Sequence, residues 1–169
     1  MAAEKQKSTP NHYAKRISDD EIEMRLPWPP SVNHYWGREI MLPALSSIMS
    51  MVGTSGFYRW LKKNSRAKEY LTSEAKTFRE HVGWIVHTGR CGMGWKQPVS
   101  MSLIVYPPDR RIRDLSNLYK ALEDALEHAN VFVNDSQVVE HHSAKSDLVM
   151  KGGELYVVVK QLPPRKKTK

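Results

Sequence analysis

The sequence predicts an α+β domain in which helices pack on one face of a mixed sheet. Segments that alternate apolar and polar residues, as strands do, occur at 21–26 and 99–106, and a further apolar segment covers 155–159. Helical spacing of apolar residues occurs at 67–88 and again from residue 115. The resulting order of strand, helix, strand, helix, strand, strand is typical of an α+β domain.

The length of 169 residues fits one domain with a hydrophobic core. We expect this domain at 19–162, with a mobile basic arm at 1–18 and a basic tail at 163–169. No apolar run approaches the roughly 18 residues that a membrane helix needs, and the first residues show no secretory pattern. Cys91 has no partner for an internal disulfide. These features predict a cytoplasmic protein that does not enter a membrane.

The charge of the chain favours a polyanionic partner. The formal net charge is +8 and the isoelectric point is near 9.6, and Lys and Arg side chains that neutralise phosphates release condensed counterions. The alternative is that the two basic tails account for much of the excess. Charge alone therefore favours nucleic acid without establishing it.

The first strand, Glu21 to Leu26, ends at a proline-rich segment, residues 27–30, which is followed by polar and aromatic residues. This segment has two interpretations. It is either a stiff turn that packs Trp28 into the core, or a loop that lines the site with Asn33 and Tyr35 facing the substrate.

Residues 37–63 form a possible insertion. The segment is basic and aromatic towards its end, which suits stacking on bases and contacts with phosphates. A half-buried helix or an interface patch would have the same composition.

In the helix predicted at 67–88, Thr72 or Ser73 can cap the first turn, and the apolar face should pack on the sheet. The glycine-rich residues 88–94 lack the ending of a phosphate-binding loop, so we interpret them as a connection. After the strand Val99 to Tyr106, a second helix has one apolar stripe, made of Leu115, Leu118, Leu122, Ala125 and Leu126.

The end of the domain is predicted to be strand-rich. Residues 131–133 form a short strand or turn, 137–145 a strand, and 151–153 a hairpin turn before the last strand. His141 and His142 are adjacent on a strand and face opposite ways, so we do not expect them to bind one metal ion.

Residues 107–135 concentrate opposite charges between two apolar segments, which predicts a metal-binding site that handles phosphate. The arginines are Arg110, Arg111 and Arg113, and the carboxylates are Asp109, Asp114, Asp124 and Asp135. Asp114 either caps the second helix or holds Mg²⁺, a hard cation that takes oxygen ligands. Asp135 would supply a second carboxylate, and Lys120 lies on the polar face of the helix with Ser116, Asn117 and Asp124.

Several ordered motifs in this chain resemble the RusA family of Holliday junction resolvases. They are Leu26 to Asn33, Pro108 to Arg111, Arg113 to Leu118 with Lys120, and Asn134 to Val138, supported by Thr72 to Glu74, Phe78-Arg79 and Lys151 to Gly153. The resemblance covers roughly residues 22–36 and 66–162.

The resemblance implies a RusA-like α+β homodimer that binds four-way DNA junctions and cuts them symmetrically with Mg²⁺ or Mn²⁺. By position, it implies that Asp114 and Asp135 are catalytic metal ligands and that Lys120 acts near the scissile phosphate. It also implies that the loop of Arg110, Arg111 and Arg113 holds DNA, with Asn117 beside it. The source would be a bacterium or a phage, which places the protein in a bacterial or phage-infected cell.

One departure from the family concerns the metal site. The family usually has Asp-x-Asp-Asn, whereas the second aspartate is replaced here by Ser116. A hydroxyl is a neutral and weaker ligand, so the chain is a natural variant, a relative that binds junctions with weak or no cleavage, or an engineered inactive form. Asp109 and Glu140 are candidate replacement carboxylates.

Overall fold

The computed structural model describes residues 11–41, 56, 59–60 and 66–164. The strands and helices, in chain order, are β1 (Tyr13–Arg16), β2 (Glu21–Pro27), α1 (Val32–Tyr35), β3 (Trp36–Met41), β4 (Arg66–Leu71), α2 (Ser73–Thr88), β5 (Val99–Tyr106), α3 (Ser116–His128), β6 (Val138–Lys145) and β7 (Glu154–Gln161). A short 3₁₀ helix, Asp135–Gln137, precedes β6. Within this described part, no helix combines the length and apolar character required to cross a membrane.

The main sheet has five strands in the order β1-β2-β7-β5-β6. β5 and β6 are parallel and are connected through α3, while the other neighbours are antiparallel. A parallel pair needs such a crossover connection, and a helix usually supplies it. The prediction of an α+β fold with a mixed sheet is confirmed.

The core lies between this sheet and the two long helices. Strands β2, β5 and β7 bury alternate residues because successive side chains point to opposite faces. Both helices bury an apolar stripe in the same cluster, which for α3 consists of Leu118, Ala121, Leu122, Ala125 and Leu126. Leu115, predicted in this stripe, is partly buried against the same core.

The segment before α2 differs from the prediction. The helix begins at Ser73, and the Thr72 hydroxyl accepts a hydrogen bond from the Ala75 amide, so the predicted cap is confirmed. Residues 66–71 form β4 instead of helix, because they pair with β3 in a two-stranded ribbon. This pairing brings the start of the segment interpreted as an insertion, 37–63, next to the residues that follow it. Within that segment, 42–55, 57–58 and 61–63 lie outside the described residues.

Two predictions at the ends of the domain also change. Residues 13–16, within the predicted mobile arm, form β1 and pair with β2, so that prediction is wrong for them. Residues 1–10 and 165–169 lie outside the described part. Residues 151–153 do form a tight turn, in which the Gly153 amide donates to the Met150 carbonyl, but it is not a hairpin, since β5 lies between β6 and β7.

This turn supports Trp28. Gly152 and Gly153 both have positive φ, at 90° and 71°, a region that residues with a side chain rarely adopt. A Cβ atom on Gly153 would lie 2.5 Å from the Trp28 ring, whereas one on Gly152 would meet nothing within 4 Å. The close approach of backbone to ring therefore requires glycine at residue 153.

We predict that Gly153→Ala lowers the free energy of unfolding by about 1–3 kcal/mol more than Gly152→Ala, since only the first adds overpacking to the same backbone strain. Urea unfolding of the two variants measures the difference. Equal losses would show that Trp28 moves away without cost.

Candidate functional site

The loop between β5 and α3 is held by Asp109. Its two carboxylate oxygens accept hydrogen bonds from the Arg113 guanidinium, at 2.5 and 2.7 Å, and one also accepts from the Arg111 amide at 2.9 Å. The hydrogen bonds from Arg113 have the largest effect on Asp109, followed by the hydrogen bond from the Arg111 amide. Together they hold the pKa of the Asp109 carboxyl well below its usual range. Asp109 is thus engaged inside the loop, which leaves it poorly suited to replace a missing metal ligand.

Arg113 also contacts Trp28. The guanidinium carbon lies 5.6 Å from the centre of the indole ring, a distance typical of a cation–π interaction. Trp28 itself is partly buried against the core. The interpretation of the proline-rich segment as a turn that packs Trp28 is therefore confirmed. The same ring contacts Arg113 of the loop after β5.

The three arginines differ in exposure. The side chain of Arg111 is 83 % exposed although its Nε lies 3.2 Å from Asp109, whereas that of Arg113 is 24 % exposed. Arg110 is exposed on the same loop. Arg110 and Arg111 thus present positive charge to solvent, while Arg113 mainly fixes the loop.

Asp114 directly precedes α3. One of its carboxylate oxygens accepts a hydrogen bond from the Ser116 amide at 3.0 Å, which satisfies an amide at the helix start. The Asp114 side chain nevertheless remains exposed, and it lines a cleft of about 240 Å³ with Trp28, Ser31, Arg113 and Asn117. The helix cap itself is Leu115, which makes no side-chain cap hydrogen bond, so the contact of Asp114 with the Ser116 amide supports the capping interpretation only in part. The carboxylate remains accessible to a ligand. Ser116 and Asn117 are exposed beside it.

Lys120 lies one turn further along α3 and binds two carboxylates. Its Nζ atom is 2.8 Å from Asp124 Oδ1 and 2.9 Å from Asp135 Oδ2. These two contacts, that with Asp124 first, raise the pKa of the Lys120 ammonium above its ordinary value. Lys120 and Asp135 are fifteen residues apart in the chain, so the fold brings these predicted residues together.

The turn before β6 orients Asp135. The Asn134 side chain and Gln137 form a reciprocal capping box around the short 3₁₀ helix. The Asp135 amide donates to Glu127 Oε2 at 2.9 Å, which ties the turn to the last turn of α3. The contact of Asp124 with Lys120 is a partnership that the sequence analysis did not assign, although the spacing of four residues on a helix indicates it.

Tyr35 and Asn33 were predicted to face the substrate. The structure instead buries Tyr35 completely. Its hydroxyl has no hydrogen-bond partner among the described residues, and burial, followed by the negative charge of Asp124, raises the pKa of Tyr35 to about 12. Tyr35 therefore lies behind the charged face of α3 and not on the surface. Asn33 belongs to α1, and its side chain lies outside the described part.

The remaining candidates lie on β6. His141 contacts Glu123 at 2.6 Å, and His142 lies 3.9 Å from Glu140. The two histidines thus have different partners. Glu140 is exposed and lies near His142. The carboxylates that contact Lys120 are instead Asp124 and Asp135.

The residues of the site suit a hard cation by their chemistry. Asp114 and Asp135 offer carboxylate oxygens, and Mg²⁺ sites often use one or two carboxylates completed by water and substrate phosphate. Across the described residues, no group of three or more His, Cys, Asp or Glu side chains has the arrangement of a metal site. Asp114 and Asp135 are therefore donors of the type that such an ion takes.

Comparison with known proteins gives the same family as the motifs. The sequence model of the family described as endodeoxyribonuclease RusA matches residues 54–160. Proteins named crossover junction endodeoxyribonuclease RusA, from Escherichia coli K12 and from Enterobacteria phage 82, are each 30 % identical over 137 residues, which is 81 % of this chain and 92 % of theirs. A protein of the same name from Shigella sonnei Ss046 matches to the same extent. The chain therefore belongs to the RusA family of endodeoxyribonucleases.

Proposed function

We propose that this chain is a structure-selective endodeoxyribonuclease that binds and resolves four-way DNA junctions in recombination and repair. The observation that carries the proposal is the 2.9 Å contact of Lys120 with Asp135. It joins the polar face of α3 to the turn before β6, and the names of the relatives supply the substrate.

The proposed metal ligands are Asp114 and Asp135, with the Ser116 hydroxyl at the position of the family's second aspartate. The ion is Mg²⁺, for which Mn²⁺ can substitute, since both take oxygen ligands. When bound, such an ion lowers the pKa of a coordinated water and neutralises charge on the phosphate. Lys120 stabilises the negative charge that develops on the phosphate oxygens.

DNA binding is assigned to the exposed residues around this site. Arg110 and Arg111 project from the loop after β5, and Asn117 lies on the first turn of α3. Arg113 positions the loop through Asp109 and Trp28 and contributes charge from behind it. Tyr35 is not part of this surface because it is buried, and a contact of Asn33 with DNA stays a prediction.

Two cuts on opposite strands of a junction need two active sites, so we further propose a homodimer that works in the cytoplasm of a bacterial or phage-infected cell. The relatives from E. coli and phage 82 support that setting.

A second candidate function is junction binding with weak or no cleavage. Ser116 favours it, because one negative charge is missing from the ligand position, and no third acidic side chain forms a metal site with Asp114 and Asp135 in the described part of the chain. Phosphate contacts by the arginines do not depend on a metal, so binding would survive the loss of cleavage.

We predict that Ser116→Asp increases Mg²⁺-dependent nicking of a synthetic four-way junction by at least about tenfold, a barrier change of about 1.4 kcal/mol. The reason is the restored carboxylate beside Asp114. Nicking rates are measured across Mg²⁺ and Mn²⁺ concentrations, with junction binding in EDTA alongside.

Ser143→Asp is the matched control, since it adds the same charge to an exposed serine of β6. If only Ser116→Asp cuts, the site of this chain is disabled by one ligand. Cleavage by the unmodified protein at the rate of Ser116→Asp would show that another group completes the site, and no cleavage by either would leave the junction-binding function.

We predict that Arg111→Gln and Arg113→Gln have different effects. Loss of exposed Arg111 removes one phosphate contact, so the slope of log affinity against log salt concentration should fall by about 0.9 with little change in stability. Loss of Arg113 removes the two guanidinium hydrogen bonds of Asp109 and the cation above Trp28, so the urea midpoint should fall. Fluorescence anisotropy on a labelled junction and urea unfolding measure the two quantities. An unchanged salt slope in Arg111→Gln would remove Arg111 from the DNA surface.

A further inference from the structure

Lys120 is a cation of the chain itself that lies between two carboxylates. Its ammonium contacts Asp124 on the same helix at 2.8 Å and Asp135 on the following turn at 2.9 Å. In this structure Asp135 is therefore already paired with a positive charge.

The two contacts of Lys120 differ in kind. Asp124 is four residues away on α3, so the helix itself keeps the two side chains within reach of each other. The Asp135 contact joins two elements and depends on the turn before β6. The Asp124 side chain is also the more enclosed of the two, at 13 % exposure against 33 % for Asp135. Its negative charge also acts on the buried Tyr35 hydroxyl.

An ammonium and a divalent cation compete for the same carboxylate oxygens, because both bind them mainly by charge. Lys120 must therefore leave the oxygen of Asp135 that a metal ion takes. The lysine can do so without leaving the site, since Asp124 still holds it.

We propose that Lys120 is a resident cation that occupies Asp135 in the metal-free protein, and that Asp124 is a positioning residue that retains Lys120 beside the site when a divalent cation takes Asp135. This inference rests on the proposed function, since it takes Asp135 as a metal ligand. It gives Asp124 the role of holding Lys120 near the metal site when DNA is bound.

The first test is Mn²⁺ binding to the DNA-free protein by isothermal titration calorimetry. Lys120→Met should bind Mn²⁺ more tightly than the unmodified chain by about twofold to fivefold, the range expected from a partly exposed ion pair. The charge-matched control is Lys15→Met, which removes an exposed lysine of β1 and should bind Mn²⁺ as the unmodified chain does. Affinity in Lys120→Met no higher than in Lys15→Met would overturn the competition.

The second test separates positioning by Asp124 from direct ligation. Asp124→Asn should weaken Mn²⁺ binding in the unmodified chain, because Lys120 then has Asp135 as its remaining partner. In the Lys120→Met background the same substitution should have little effect. Equal weakening in both backgrounds would show that Asp124 acts on the metal independently of Lys120, by ligation or by charge, and the positioning role would be wrong. Thermal unfolding of each variant verifies that it is folded.

Crystal structures with and without Mn²⁺ provide a direct readout. Lys120 Nζ should move out of contact with Asp135 and keep its contact with Asp124. Persistence of both contacts beside bound Mn²⁺ would overturn the proposal.

Failure of the proposed function gives a different result. Absence of Mn²⁺ binding in every variant would overturn the metal-dependent function and the competition together, whereas Mn²⁺ binding that is unaffected by Lys120→Met would overturn the competition alone. Junction binding in EDTA tests the DNA-binding function independently.

Discussion

The burial of one face of α3 against the sheet is the constraint on which the candidate site depends. Leu118, Leu122 and Leu126 recur every four residues and are almost completely buried, and each such side chain contributes about 1.5–3 kcal/mol when it is removed from water. The rotation of the helix about its axis is therefore fixed. Lys120 and Asp124 then lie on the other side of the same helix, where Lys120 is about half exposed and Asp124 is more enclosed.

The return of the chain after α3 completes this arrangement. Val131 and Phe132 are fully buried, and Phe132 forms an isolated backbone β-bridge with Trp95. The backbone therefore returns to the core directly after the helix. Asp135 follows within three residues and meets Lys120. Burial of apolar residues before and after the end of α3 thus determines which charged side chains come together. The ion pairs form between side chains that this packing has already positioned.

A second set of contacts connects the ends of three strands. Gly153 before β7 allows Trp28 after β2 to approach closely, Trp28 lies under Arg113, and Arg113 holds Asp109 after β5. The loop that presents Arg110 and Arg111 is therefore braced from behind. Arg113 and Asp109, which support this loop, pair their charges with each other, whereas Arg110 and Arg111 are exposed to solvent.

The replacement of the family's second aspartate by Ser116 changes the balance of charge at this site. With one carboxylate fewer, the positive charge of Lys120 offsets a larger share of the negative charge that remains on Asp124 and Asp135. Under the proposed function, a metal ion would then compete with Lys120 at a site that has one carboxylate fewer. The proposed DNA binding by the arginines does not require this exchange, so the proposal allows binding and cleavage to separate.

The sequence by itself determined the strands β2 and β5, the two long helices and the motifs that place the chain in its family. These features depend on residue spacing over one segment, as with Ile22, Met24 and Leu26 in β2 or the Thr72 cap of α2, and local periodicity records them directly. Only the tertiary structure decided that 66–71 is a strand, that β6 runs parallel to β5, that Tyr35 is buried, and that Lys120 pairs with both Asp124 and Asp135. Each of these depends on a partner distant in the chain or on the packing around it, and the free energy of such a contact is not encoded in the pattern of either segment alone.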